Sequence, residues 1–190
     1  MSITEITQGL SKNDKPALKH LFDNYYGKLY AMVNRYCKSQ TQAAEIFYAA
    51  FHSAILQLQL QKNAPIDLGE FLEKEVLKET IERIKSIRSE YYVASTVHAS
   101  DRDSKNYNLF EANHIIDYSS LDNEIVLKAM QQMVPSQRLI FNLHVIEGYS
   151  LEAAAQLLEA SEQTAKSNLE KARFNLQKNI EKNLKQLNYE

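Results

Sequence analysis

The sequence has few of the residues that interrupt helices or cross-link a chain. It contains four glycines, three prolines and one cysteine, Cys37, in 190 residues. A single cysteine excludes an internal disulfide and fits a reducing compartment. The scarcity of glycine and proline, together with apolar residues that recur at spacings of three and four, predicts an all-α protein.

The patterns of secreted, membrane-spanning and catalytic proteins are also absent. Residues 1–15, MSITEITQGLSKNDK, hold no apolar run of signal-peptide length, and no later run approaches a membrane span. The sequence has no phosphate-binding glycine loop and no nucleophile elbow, and its five histidines are scattered. We therefore expect a cytoplasmic protein with no membrane insertion, no metal site and no cofactor, and we do not expect an enzyme. His144 is expected to be a packed, hydrogen-bonded side chain rather than a ligand.

The charge balance is unlike that of a protein that holds nucleic acid unaided. Lysine and arginine number 22 and aspartate and glutamate 24, which gives a formal net charge of -2. The sequence pI is about 6.2. Because a freestanding nucleic-acid-binding domain is usually basic, any contact with nucleic acid is expected to need a partner.

Apolar stripes predict three helices in the N-terminal half, after a polar lead-in at residues 1–15. They are expected at residues 18–38, 42–61 and 67–91, with the tyrosines of the first at the edge of the core. The second is unusual, because Glu45 is the only charged residue between Ser39 and Gln61. A helix with so little charge is either enclosed by its own domain or meets a partner. The third carries many charges at spacings that allow ion pairs, which is typical of a solvated face.

The periodicity stops at residues 92–120, which are rich in Ser, Asp and Asn and which we interpret as a flexible linker. The sequence thus predicts two small helical domains, at residues 1–91 and 121–190. In the second, a helix is expected at residues 121–133, and apolar residues from Leu176 onward are expected to prolong the last helix towards the C-terminus.

Two short amphipathic segments follow each other closely in the second domain. Ser150 can cap the first, at residues 151–158, and Ser161 can cap the second, which begins at Glu162. Residues 159–161 leave room only for a turn. The second segment has an apolar seam at spacings of three and four, formed by Ala165, Leu169, Ala172, Leu176 and Ile180. This pattern predicts a helix-turn-helix.

The residues around this motif resemble a known family. The pattern P-S-Q-R-x-x-x-x-L-x-x-x-E-G-Y-S-x-x-x-x-A-x-x-L-x-x-S-x-x-T-x-K-S-x-L-x-x-A-R, from Pro135 to Arg173, is similar to the promoter-recognising domain of bacterial RNA polymerase sigma factors. The resemblance is greatest to the small extracytoplasmic-function (ECF) type. Glu159 stands where that family usually has a glycine, and Asn168 where it often has an arginine.

The resemblance implies that the second helix of the motif lies in the major groove of promoter DNA, at the minus-thirty-five element. The candidate DNA-binding residues are Gln163, Lys166, Ser167, Glu170, Lys171 and Arg173. Gln163 can pair with adenine, Lys166 with guanine and Glu170 with cytosine, whereas Lys171 and Arg173 are suited to phosphates. Five basic and three acidic residues lie between Ser161 and Leu184, a surplus of only two positive charges. Weak DNA contact is sufficient if core RNA polymerase holds both domains at once.

Residues 1–91 resemble, less closely, the sigma domain that docks on core RNA polymerase and melts the promoter at the minus-ten element. The candidate polymerase-binding residues are Glu45, Tyr48 and Phe51. The helix at residues 42–61 lacks the several acids usual in the family, and the next helix is acidic in its first half, where basic residues would favour phosphate.

Three hypotheses remain open. The first is an ECF sigma factor that binds core RNA polymerase and promoter DNA and is itself bound by an anti-sigma or other regulatory protein. The second is a divergent sigma-like regulator or adaptor that acts through protein contacts without melting promoters. The third is a stand-alone helix-turn-helix regulator, which the small positive surplus disfavours.

Overall fold

The computed structural model describes residues 1–61, 63–87 and 121–187. Within these residues the regular elements are all helices and no strand occurs, which confirms the all-α prediction. The chain divides into two compact units, Met1–Ser86 (unit 1) and Ile87–Glu190 (unit 2). None of the helices in the described part of the chain is long and apolar enough to cross a bilayer. The linker predicted at residues 92–120 lies outside the described residues.

The described part of unit 1 contains four helices, three of which the apolar stripes predicted. They are α1 (Ile3–Ser11), α2 (Lys15–Tyr36), α3 (Gln40–Leu60) and α4 (Leu68–Ser86). Side-chain oxygens cap all four: Ser2 for α1, Asp14 for α2, Ser39 for α3 and Asp67 for α4. The last residues of the helix predicted to end at Tyr91 lie outside the described residues.

The prediction of a polar lead-in at residues 1–15 was wrong, because α1 is an amphipathic helix. The Ser2 hydroxyl accepts a hydrogen bond from the Glu5 amide at 3.2 Å, and a Glu5 carboxylate oxygen accepts one from the Ser2 amide at 2.7 Å. This capping box satisfies two of the free amides at the helix start and lowers the pKa of Glu5. Ile6 and Leu10 are 4% and 3% exposed, and the Leu10 carbonyl accepts a hydrogen bond from the Gln59 side chain at 2.7 Å. The helix is therefore part of the unit's core packing.

A cluster of aromatic rings joins α2 to α3. Phe47, fully buried, lies at its centre, with ring centroids 5.2 Å from Tyr26, 5.7 Å from Tyr30 and 5.5 Å from Phe51. Tyr26 and Tyr30 stack on each other at 5.4 Å and are half-buried, as expected for residues at the core edge. Burial raises the pKa of the Tyr30 hydroxyl, which donates to the Gln40 carbonyl at 3.4 Å. Ring packing of this kind gives unit 1 a largely apolar core.

Unit 2 contains four α-helices and one π-helical segment in its described part. They are α5 (Asn123–Gln131), α6 (Pro135–Phe141), the π segment (Asn142–Ile146), α7 (Leu151–Leu157) and α8 (Glu162–Leu187). As predicted, α8 continues far beyond the helix-turn-helix. A small core of Met130, Met133 and Ala172 joins α5 to α8, and Val126, Phe141 and Leu176 pack against it.

Candidate nucleic-acid interface

The connection between α7 and α8 is a tight turn, which confirms the helix-turn-helix prediction. The Ser150 hydroxyl caps α7 by accepting a hydrogen bond from the Ala153 amide at 3.1 Å. At the other end, the Ala160 amide donates to the Ala155 carbonyl at 3.0 Å and the Glu159 amide donates to the Gln156 carbonyl at 3.1 Å. These are the two bonds of a Schellman motif, in which the residue after the cap adopts the left-handed conformation.

Glu159 occupies that left-handed position, with φ of 53°. The resembling family usually has glycine at this position, and a residue other than glycine can give a turn another shape. The turn keeps the left-handed geometry instead. A residue with a Cβ in this conformation costs on the order of 1 kcal/mol relative to glycine.

The start of α8 is capped and its apolar seam faces inward. The Ser161 hydroxyl accepts a hydrogen bond from the Thr164 amide at 3.1 Å. Ala165, Leu169 and Ala172 are between 0% and 5% exposed. The seam thus buries the side of α8 that the spacing predicted, and the positions between its members lie on the outside of the unit.

All six candidate DNA-binding side chains lie outside the seam. Gln163, Lys166, Ser167, Glu170 and Arg173 are exposed and Lys171 is half-exposed. Among the described residues, none of these six side chains is held by a hydrogen bond or an ion pair. Because they occupy about three turns at the N-terminal end of α8, they form a continuous polar surface that is free to meet a base edge or a phosphate.

A ladder of asparagines fixes α8 against the rest of unit 2 from behind. The side-chain amide of Asn175 donates to the Gln137 side-chain oxygen at 2.7 Å, and the side-chain amide of Asn179 donates to the Ala129 carbonyl at 3.0 Å. One turn further, the side-chain amide of Asn183 donates to the Ile125 carbonyl at 3.5 Å. The side-chain oxygen of Asn183 accepts a hydrogen bond from the Gln132 side chain at 3.1 Å. Sequence reasoning missed this ladder, although its signal is an asparagine at every fourth position. Directional bonds of this kind fix the axial position of a helix as well as its burial.

Arg138 links α6 to the end of α5. Its side chain is 1% exposed, and its Nη1 donates to the carbonyls of Gln131 and Met133, both at 2.8 Å. These carbonyls lie at and just beyond the C-terminal end of α5, where helix carbonyls lack intrahelical partners. In the string Pro135 to Arg138, proline thus starts α6, while Gln137 and Arg138 hold α8 and α5 to it. The string serves the geometry of the unit rather than DNA contact.

His144 lies in the π segment, and its Nδ1 is 2.8 Å from the Tyr149 carbonyl oxygen. This contact agrees with the prediction of a packed, hydrogen-bonded histidine. Within the described part of the chain, no group of His, Cys, Asp and Glu side chains is arranged to hold a metal ion.

The three candidate polymerase-binding residues of unit 1 differ in exposure. Glu45 is exposed and Tyr48 is 58% exposed, and both lie on the outward face of α3. Phe51 is only 5% exposed and stacks on Phe47 at 5.5 Å inside the aromatic cluster. Glu45 and Tyr48 can therefore contact a partner directly, whereas Phe51 can only support that face from within.

Comparison with known proteins finds one family match, which lies in the C-terminal unit. Residues 123–176 match the family model described as "Sigma-70, region 4". The match runs from the first residue of α5 into α8 and contains the whole helix-turn-helix. Unit 2 is thus similar to sigma-70 region 4 over these residues.

A solved structure shares the fold of the chain. It is the co-crystal structure of the sigma factor RpoE in complex with the anti-sigma factor NepR from Bartonella quintana, and the matched chain is 21% identical with a TM-score of 0.50. The alignment covers 86% of this chain and 96% of that one. No curated protein sequence matches this chain significantly.

Proposed function

We propose that this chain, whose residues 123–176 match sigma-70 region 4, is a cytoplasmic sigma factor of the ECF type. It directs core RNA polymerase to promoters and is not itself an enzyme. Residues 1–91 dock on the polymerase and engage the minus-ten element, residues 92–120 link the domains, and residues 121–190 read the minus-thirty-five element. The observation that carries the proposal is the exposed, unbonded polar surface of α8 in a helix-turn-helix that matches region 4.

The chemistry of that surface assigns a role to each side chain. In a helix-turn-helix, the N-terminal residues of the second helix meet base edges in the major groove. Gln163 offers an amide to adenine, Lys166 a donor to guanine and Glu170 an acceptor to cytosine. Ser167, Lys171 and Arg173 hold phosphates and fix the register.

The shortage of positive charge supports a role within a larger complex. The surplus of two positive charges between Ser161 and Leu184 is small beside the roughly six to ten phosphate contacts of a protein that binds DNA alone. Docking of unit 1 on the polymerase makes the second contact intramolecular, with an effective concentration near millimolar for a short linker. The same shortage disfavours a stand-alone helix-turn-helix regulator.

Reconstituted transcription with core RNA polymerase tests the proposal. Lys166→Ala should weaken recognition of one base pair by about 1 to 3 kcal/mol and relax the preference there. Lys178→Ala, a matched change of an exposed lysine further along α8, should weaken all promoter sequences alike. If the purified chain neither binds core polymerase nor yields a promoter-dependent transcript with inhibitors removed, the proposal is wrong.

A divergent sigma-like regulator or adaptor is the alternative, and the acidic first half of α4, where the resembling family is usually basic, favours it. Such a protein would bind an anti-sigma or other regulatory protein and would not melt promoters. The matched sigma factor was solved with an anti-sigma factor, so the fold is compatible with a protein partner of this kind. Pull-down of a partner other than polymerase, together with no salt-sensitive DNA binding, would support this alternative.

A further inference from the structure

We infer that the outward face of α3 binds core RNA polymerase chiefly through apolar contact, so that the association resists salt. The face, called the α3 surface below, comprises Glu45, Tyr48, His52, Leu56 and Leu60. The inference rests on the proposed function, in which unit 1 docks on core RNA polymerase, and it names the chemistry of that contact.

The five residues share one side of the helix because they follow each other at spacings of three and four. All five are exposed; Tyr48 is 58%, Leu56 46% and Leu60 76% exposed. Tyr48, Leu56 and Leu60, with His52 between Tyr48 and Leu56, place three large side chains with apolar bodies on one solvated helix face. Soluble proteins usually use such a patch for binding.

The neighbouring helix α4 shows what an ordinary solvated face in the same unit looks like. It carries ion pairs between Lys74 and Glu70 at 2.7 Å and between Arg83 and Glu79 at 2.7 Å. The α3 surface has one carboxylate, Glu45, and no lysine or arginine. The difference within one unit indicates that the α3 surface is built for contact with protein rather than with water.

The aromatic cluster holds one end of the α3 surface in place. The Tyr48 ring packs against the edge of the Phe47 ring, with centroids 5.5 Å apart and planes at 67°. Phe47 is fully buried and contacts three rings of α2. Since Tyr48 is already positioned, little side-chain freedom is lost when a partner covers it.

The distribution of charge selects the occupant. Two copies of the α3 surface pairing antiparallel would set each Glu45 against a Leu60, and pairing in parallel would set the two Glu45 together. Neither arrangement gives the carboxylate a cation, and burial of an unpaired charge is unfavourable. The suitable partner surface has one lysine or arginine opposite Glu45 and apolar side chains opposite Leu56 and Leu60. From Glu45 to Leu60 α3 spans about 22 Å, which is the length that the partner surface has to cover.

The experiment measures co-elution of the full chain with core RNA polymerase at about 0.1 M and about 0.5 M salt, between which surface charge pairs become strongly screened. The test variant is Leu56→Gln with Leu60→Gln. Leu18→Gln is the matched control, because Leu18 is 43% exposed but lies on α2. Glu45→Gln measures the charged contribution. All of these substitutions are at exposed positions, where changes rarely disturb folding.

We expect the affinity of the native chain to change less than about threefold between the two salt concentrations, and the double variant to lose at least about tenfold at both. The loss from Glu45→Gln should appear mainly at low salt, and Leu18→Gln should behave as the native chain. Native-like binding by the double variant, or a collapse of native binding at high salt, overturns the inference while leaving the sigma assignment intact. Failure of the native chain to co-elute at either salt concentration overturns the proposed function and, with it, the inference.

Discussion

Unit 1 packs aromatic rings against one another, whereas unit 2 bonds side-chain amides and a guanidinium to backbone carbonyls. The rings of Phe47 and its neighbours fill the space between α2 and α3. In unit 2, Arg138 and Asn183 are buried and hydrogen-bonded to neighbouring elements. Apolar packing contributes burial but little direction, and hydrogen bonds contribute direction. The difference is consistent with the work proposed for each unit, since reading base edges requires that a helix be fixed along its axis.

The outward faces of the two units contrast in the same sense. The candidate surface of α8 is polar and carries Lys166, Glu170 and Arg173, whereas the α3 surface has one charge, Glu45, among side chains that are mostly apolar. Contacts through α8 should therefore weaken with salt, because displaced counterions contribute to binding. Contacts through α3 should persist.

The largest effect is expected where the rings of unit 1 meet. Phe47→Ala should destabilise unit 1 by about 3 to 5 kcal/mol, because it removes the buried ring that contacts most of the cluster. Amide hydrogen exchange resolved by residue should show faster exchange in α2 and α3 with α8 unchanged. Phe47→Leu, which keeps most of the volume, should cost clearly less. A loss spread equally over both units would show that their cores are not independent.

The corresponding change in unit 2 removes a buried donor. Arg138→Met should destabilise unit 2 by about 2 to 4 kcal/mol, since it keeps an apolar stem but leaves the carbonyls of Gln131 and Met133 without their charged donor. Exchange should accelerate in α5 and α8 and not in α2. Arg138→Lys should restore part of the loss, because the ammonium is also a charged donor. The rescue should be incomplete, because the ammonium lacks the planar donor geometry of the guanidinium. If Arg138→Met were as stable as the native chain, apolar packing rather than the Arg138 hydrogen bonds would stabilise unit 2.

A smaller effect is expected from the asparagine ladder. Asn179→Ala should destabilise unit 2 by about 1 to 2 kcal/mol, because the Ala129 carbonyl loses its donor at 3.0 Å. Lys178→Ala, at the adjacent exposed position, should change stability by less than about 0.5 kcal/mol. Denaturant unfolding of each variant, followed by a probe on α8, gives both changes in the free energy of unfolding. Equal values for the two variants would refute the role of the ladder.

The sequence was sufficient to predict the helices with strong apolar periodicity and the orientation of α8. Ala165, Leu169 and Ala172 define the buried side by their spacing, so the exposed positions of Lys166 and its neighbours follow by geometry. Whether those side chains touch DNA stays a prediction. The α1 helix was missed because only Ile6 and Leu10 point inward in a polar segment, although Ser2 and Glu5 have the spacing of a capping box.

Other features depend on tertiary contacts that a single sequence does not define. The amides of Asn175, Asn179 and Asn183 look like solvated positions until α5 and α6 bring acceptors to them. The π segment, Asn142–Ile146, has no compositional signal in the sequence. Glu159 was visible as a departure from the glycine of the resembling family, but the sequence did not show that the turn keeps its left-handed geometry.

That turn gives the smallest effect, and one with a matched partner in unit 1. Asn13, between α1 and α2, has φ of 55° and Glu159 has φ of 53°. Glycine removes the Cβ clash at both, so Glu159→Gly should stabilise unit 2 by about 0.5 to 1 kcal/mol. Asn13→Gly should stabilise unit 1 by less, because asparagine tolerates this conformation better than glutamate. Denaturant midpoints of the two variants measure the difference. A larger gain from Asn13→Gly would mean that Glu159 makes contacts in the turn that offset its strained backbone.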